Sequence, residues 1–226
     1  MEKSMKYQIY SGFCKNVDPK KYANLSADEW FEIWYKNTIS ISHSDIFIFG
    51  PDVPNLTNKN GIYSIGEYTN LGHGGDYWNG SREGRWCGWV TGVALGMIHA
   101  YACNSDFIYK EQDCLWFGDT IISQMYQDLG DTDIVMGTCK LMGTANSLFL
   151  VPRNKILDVI ASLIPTDAKT LLPEDRFKRI PNSSRLSFGY DRDRPFDISK
   201  LPFYIQQVTD TELESLKSID NSTSKI

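Results

Sequence analysis

The chain has 226 residues, 42% of them hydrophobic and 23% charged, enough for one sizeable core at the usual ~100–200 residues per domain. Its 23 Lys and Arg against 28 Asp and Glu leave a net charge of −5. That balance argues against a nucleic-acid binder working by phosphate neutralisation, though not against a local cationic cluster for a small phosphorylated ligand. Tyr7 to Tyr10 reads as a first strand ended by Ser11 and Gly12. Ser26 and Glu29 have capping-box spacing, and Trp30, Ile33, Trp34 and Ile41 recur behind them at helical intervals, predicting an amphipathic helix to about residue 41. Asp45 to Phe49, closed by Gly50 and Pro51, predicts a buried strand, and Ile62 to Ile65 another. A glycine-rich loop follows, with Gly72, Gly74 and Gly75 around His73.

Trp86, Trp89, Val90, Val93, Met97, Ile98 and Tyr101 then mark a long helix, with Gly84, Gly88, Gly92 and Gly96 recurring every four residues along another face. Each interior glycine costs about 1 kcal/mol of helix propensity, so the stripe predicts close backbone approach to a sheet. Phe107 to Tyr109 is a further strand; Ile121 to Leu129 a helix; Asp133 to Met136 and Ser147 to Val151 strands; Ile156 to Ile164 a helix stopped by Pro165. Thr209 and Glu212 form a second capping box opening a short terminal helix. The alternation predicts an α/β fold with a mostly parallel sheet flanked by helices, occupying 1–217 as a single domain with an irregular C-terminal region and a polar tail over 218–226. The apolar stretch 90–103 is interrupted by His99 and falls short of the ~20 residues a membrane helix needs, and no secretory signal is visible. Five scattered cysteines without a CxxC pair complete the expectation of a cytoplasmic protein with reduced thiols.

Three segments carry candidate chemistry. Glu111, Gln112 and Asp113 follow an apolar strand. On extended backbone residues i and i+2 point the same way, so both carboxylates would share one side at the carboxyl end of a strand, where open α/β sheets place ligands. Two hard oxygen donors suit Mn²⁺ or Mg²⁺ completed by water and substrate phosphates, although the same pair also describes a solvated turn. Residues 70–85 offer glycine amides and then Ser81, Arg82 and Arg85 at a helix start, a natural anion site that is equally a loop with solvated arginines. Pro173, Glu174 and Asp175 make a good helix start, and either acid would also serve as a general base toward an acceptor hydroxyl. Of the six tryptophans, Trp30, Trp34, Trp86 and Trp89 lie on apolar stripes, whereas Trp78 and Trp116 flank candidate sites and would either stack on a sugar or base or join the core.

In the order of these parts the chain resembles the GT-A family of nucleotide-sugar glycosyltransferases, over roughly residues 5–210. The strand opening onto Ser11, Gly12 and Phe13, the Asn70–Arg85 loop and helix start, the Glu111-Gln112-Asp113 variant of a DxD motif and the Glu174-Asp175 pair stand in the family's sequence. With its Gln206-Gln207-Val208-Thr209 ending it is similar to the compact glycosyltransferase domains encoded by large algal viruses. The resemblance implies a GT-A sheet and transfer of a sugar from a nucleotide-diphosphate donor, a UDP-sugar, to a saccharide hydroxyl, with inversion. It implies Asp113 as metal ligand, with Glu111 on the ion or the ribose, beside Gln112. Ser11, Gly12 and Phe13 would line the nucleotide pocket, Arg82 or Arg85 would meet the diphosphate, and Asp175, or else Glu174, would be the base. Two departures stand out: Glu rather than Asp opens the motif, and no late His supplies a further ligand, since the three histidines are His43, His73 and His99. A sugar nucleotidyltransferase and a carbohydrate-binding module are the rival expectations.

Overall fold

In the computed structural model, which describes residues 6–13, 19–50, 61–67, 87–138, 143–164, 173–189 and 199–223, strands and helices alternate as the apolar patterning requires. The order is β1 (Tyr7–Gly12), α1 (Ala27–Ile41), β2 (Ile46–Gly50), β3 (Ile62–Glu67), α2 (Cys87–Ala102), β4 (Asp106–Lys110), β5 (Cys114–Phe117), α3 (Ile121–Leu129), β6 (Ile134–Gly137) and β7 (Ala145–Val151). There follow α4 (Ile156–Leu163), α5 (Pro173–Phe177), β8 (Ser183–Arg185), β9 (Phe203–Gln206) and α6 (Asp210–Thr223).

Seven strands form one sheet in the order β3-β2-β1-β4-β7-β6-β8, and β5 pairs with β9 in a second, antiparallel sheet. The strands β3, β2, β1 and β4 are parallel; β7 runs against both β4 and β6, and β8 is parallel to β6. The expected mostly parallel sheet is therefore present. The chain first builds outward from β1 to β3, then returns through α2 to lay β4 on the other side of β1. That reversal is a topological switch point, and the carboxyl ends of β1 and β4 border its crevice.

Alternation along the strands sorts the core into two faces. Ile9, Ile46, Ile48 and Ile108 pack toward Phe31 and Trp34 of α1 and Ile121, Met125 and Leu129 of α3. Tyr10, Phe47, Phe49, Phe107 and Tyr109 pack toward Val93 and Met97 of α2 and Val159 of α4. Tyr10 is stacked between Phe47 and Phe107, with ring centroids 5.2 and 4.6 Å away. Two glycines of the stripe lie against these rings: a Cβ on Gly92 would stand 2.3 Å from Phe49, and one on Gly96 2.9 Å from Phe107, while Gly84 lies outside the described residues. Both expected capping boxes close. Ser26 Oγ accepts from the Glu29 amide at 3.3 Å while Ser26 N–H donates to Glu29 at 3.0 Å, and Thr209 N–H donates to Glu212 at 2.8 Å.

Three strands escaped the sequence reading: β5, β8 and β9 are only three or four residues long, too short for a period to show. The last helix runs to Thr223, into the stretch from residue 218 that is expected to be a polar tail. Among the described residues no helix is long and apolar enough to cross a membrane.

Replacing Gly92 by alanine gains helix propensity of about 1 kcal/mol but forces a methyl into the Phe49 ring, a kind of overpacking that costs about 1–3 kcal/mol. Gly92→Ala is expected to lower the midpoint of urea unfolding; a raised midpoint would mean that α2 rides loosely on the sheet.

Candidate active site

The site is built where β4 ends. Tyr109, buried on the α2 side, receives the Trp89 indole N–H at 3.0 Å, and its hydroxyl would lie 3.5 Å from a Cβ on Gly12, the last residue of β1. Burial, and next the charge of Glu111, push its phenol well above the usual tyrosine range, so it stays a neutral hydroxyl within the core. One residue later Lys110 turns the other way, toward α1, as strand alternation demands.

Beyond Lys110 the backbone leaves the sheet. Glu111 N–H still reaches Ser147 O at 2.8 Å, but Cys114 N–H donates back to Glu111 O at 3.0 Å, closing a turn around Gln112 and Asp113. The two carboxylates do converge, through this turn rather than through extended backbone as expected from the sequence. Gln206 Nε2 donates to Glu111 Oε2 at 2.7 Å and to Asp113 Oδ1 at 3.0 Å. Asp113 is 5% exposed and Gln206 1%, whereas Glu111 is half-buried and opens the pair to solvent. Gln206 arrives there because β9 pairs with β5, setting it opposite Cys114, and Gln207 N–H donates to Asp113 O at 3.0 Å.

Helix α1 holds the same turn from outside. Trp34 Nε1 donates to Glu111 O at 3.0 Å and Trp30 Nε1 to Gln112 O at 2.6 Å. The Gln112 side chain turns away from the acids and donates to the Tyr22 hydroxyl. Trp86 lies outside the described residues; Trp30, Trp34 and Trp89, expected to be core, are core, and the indole N–H groups of Trp30 and Trp34 also position the turn. That role was legible in principle, since a buried indole N–H must find an acceptor.

The remaining candidates are placed less centrally. Ser11 and Phe13 are buried: Ser11 Oγ donates to Gly12 O at 3.2 Å, and the Phe13 ring packs edge-on against Phe31 at 5.3 Å. Of that trio Gly12 is the one left at the crevice. Asp175 lies in α5, its carboxylate paired with Lys178 at 2.9 Å. That helix packs on the α2 side of the sheet through Phe177, whereas the acidic turn is held from the α1 side. Phe177 meets Trp89 with centroids 5.7 Å apart, which brings α5 to the start of α2. Trp116 is fully buried, so it is core and not a surface for a sugar. Arg82, Arg85, His73 and Trp78 lie outside the described residues, as does the Glu174 side chain.

Chemically, the pair offers two hard carboxylate groups facing one point, a donor set that fits a divalent ion completed by phosphate and water. Among the described residues no group of three or more His, Cys, Asp or Glu side chains is arranged as a metal cage. Asp113 and Glu111 are thus the residues that could hold such an ion, and they would hold it as half a coordination shell.

No protein-family model and no curated protein sequence matches the chain. Solved structures do. A galactosyltransferase, LgtC, in complex with donor and acceptor sugar analogues, is 11% identical over 88% of this chain and 86% of its own, at a TM-score of 0.53. The fold is of the GT-A type. A putative glucose-1-phosphate thymidylyltransferase from Bacillus anthracis matches at 0.52 with 11% identity, over 96% of this chain and 95% of its own. The glycosyltransferase GlyE of Streptococcus pneumoniae also matches at 0.52, with 13% identity over 92% of this chain and 56% of its own. At such identities the likeness extends to the fold alone, and the chemistry has to be argued from the side chains above.

Losing the donor that Glu111 and Asp113 share should be felt, because a hydrogen bond to a charged group contributes about 1.5–3 kcal/mol. Gln206→Leu is expected to lower the unfolding free energy at neutral pH by that order in urea titrations. A variant as stable as the parent would mean that the amide bridge is incidental.

Proposed function

We propose that the chain is a metal-dependent glycosyltransferase that moves a sugar from a nucleotide-diphosphate donor, a UDP-sugar, to a saccharide hydroxyl with inversion. The observation that supports it is the convergence of Glu111 and Asp113 beside the β1–β4 switch point of a GT-A sheet. Asp113, with Glu111, would hold Mn²⁺ or Mg²⁺, which when bound offsets charge on a departing diphosphate. Gly12, between Ser11 and Phe13, would bring backbone to the rim of the nucleotide crevice. Arg82 or Arg85 would meet the diphosphate. Asp175 would take the acceptor's proton as its oxygen attacks the anomeric carbon, with Glu174 as the alternative. To do so Asp175 must exchange its Lys178 partner for the acceptor, a small demand for a solvent-accessible pair.

The second reading is a sugar nucleotidyltransferase, favoured by the nearly full-length match to the Bacillus anthracis structure. Ser11-Gly12-Phe13-Cys14-Lys15 is a poor approximation to the glycine-rich basic stretch such enzymes carry after the first strand, which ranks this reading lower. The products separate the two: free nucleoside diphosphate for the transferase, pyrophosphate for the rival. The carbohydrate-binding module has aromatic content as its only argument, and Trp116, one of the two tryptophans expected either to stack on a sugar or base or to join the core, is buried.

Asp113→Ala should weaken Mn²⁺-dependent UDP binding by at least about tenfold in calorimetry, since half the protein ligands are gone. An unchanged affinity would take the ion away from this turn. Asp175→Asn should leave UDP affinity intact and slow sugar transfer by roughly 10²–10⁴-fold, the usual contribution of a general base. Full activity in that variant would assign the base to another residue.

A further inference from the structure

Lys110 stands beside the acidic turn without a part in the proposed chemistry, and it is an expensive side chain to keep there. It is fully buried, and its ammonium donates to Asn37 Oδ1 at 2.8 Å and Thr38 Oγ1 at 2.7 Å. It stands 4.8 Å from the ring centroids of both Trp34 and Trp116. These partners are a carboxamide, a hydroxyl and two indole faces, all neutral. Burial therefore drives the ammonium well below the ordinary lysine range, with the charge of Cys114 acting the other way. An apolar chain of similar length would fill the space at lower cost, so packing by itself does not account for a cation here.

What distinguishes the site is what its partners touch. Asn37 Oδ1 accepts from Trp116 N–H at 3.0 Å as well as from Lys110, and Asn37 Nδ2 donates to Trp116 O at 2.7 Å. Trp116 Nε1 donates in return to Asn37 O at 3.1 Å. Trp34, whose ring Lys110 faces, donates to Glu111 O, and Trp30 one turn earlier donates to Gln112 O. Helix α1 thus grips the chain immediately before, within and after the acidic turn, and the ammonium sits where these holds meet.

We propose that Lys110 is a positioning residue: clamped by Asn37 and Thr38 between Trp34 and Trp116, its ammonium sets the place at which Glu111, Gln112 and Asp113 leave β4. It draws Asn37 and the two indole faces to one point, which orients Trp34 toward Glu111 O and ties the start of β5 to α1. Outer-shell groups of this kind usually change the affinity of the ligand they serve without touching it. The inference rests on the transferase reading only for the ligand it affects; the geometry of the turn stands by itself.

The test uses the full chain, Lys110→Met, and ¹⁵N-labelled tryptophan, whose indole N–H signals report the carbonyls of Glu111 and Gln112. Without any ligand, Lys110→Met is expected to keep a cooperative melt while displacing the indole signals of Trp34 and Trp30. With MnCl₂ and UDP as probes, it should bind about 10–100-fold more weakly than the parent. Val159→Ala, a core truncation on the opposite face of the sheet, should be destabilised with both readouts unmoved. Should Lys110→Met fail to fold, Thr38→Val removes one acceptor and keeps the cation, and the same two signals should move by less. Unmoved signals in a folded Lys110→Met, or in Thr38→Val where it stands in, would overturn the proposal. So would equal effects in Val159→Ala. If the parent itself bound no UDP with manganese, the transferase reading would fall while the ligand-free signals still judged Lys110.

Discussion

Two carboxylates brought within reach of one amide repel each other, and the repulsion grows as water is removed. Asp113 is nearly dry, Glu111 is half so, and Gln206 Nε2 bridges them. Holding such a pair together is the constraint around which the described C-terminal part of the chain is organised. Gln206 can reach the turn only if β9 returns beside β5, and that pairing is the whole of the second sheet. The sheet is in turn held down by Leu213 and Leu216 of α6 and by Trp30 of α1, which share a core with Leu115, Phe203 and Ile205. The irregular last third of the chain thus delivers one neutral donor to two acids.

The first half solves a different problem, that of bringing backbone close to the crevice. Aromatic rings fill the α2 face of the sheet, and α2 can lie on them only because Gly92 and Gly96 present no side chain there. The same close approach carries Trp89, near the start of α2, onto the Tyr109 hydroxyl beside Gly12. The reversal from β3 back to β4 then puts the ends of β1 and β4 side by side, so a backbone rim and an acidic turn come from segments about a hundred residues apart.

Much of this was legible in local pattern. The capping box at Ser26, the Gly92 and Gly96 positions of the glycine stripe and the helix Ile121–Leu129 are signals whose range is a single element, and each appears where its spacing put it. The acidic pair was also legible, but for a reason that does not hold. Extended backbone would have aimed both side chains alike, whereas a turn closed by Cys114 N–H and a partner 93 residues away from Asp113 make them converge. No period or spacing reports a contact of that reach, which is why Gln206 went unnoticed as a site residue and β5 and β9 unnoticed as strands. Lys110 was invisible for a related reason: a lysine at the end of an apolar strand looks like a solvated terminus, and only the placement of Asn37, Thr38 and two indoles shows it enclosed.

The way α1 holds the turn bears on what the turn can bind. Trp34 and Trp30 grip the carbonyls of Glu111 and Gln112, not the carboxylates. An ionised carboxylate has about four acceptor positions, and the Gln206 bridge occupies one on each acid. Backbone clamps therefore fix the turn without occupying carboxylate oxygens, and the Gln206 amide that bridges the acids is itself neutral. Under the transferase proposal, the neutral bridge, the carbonyl clamps and the enclosed Lys110 would be the frame of a preorganised site, with rigidity supplied by the backbone.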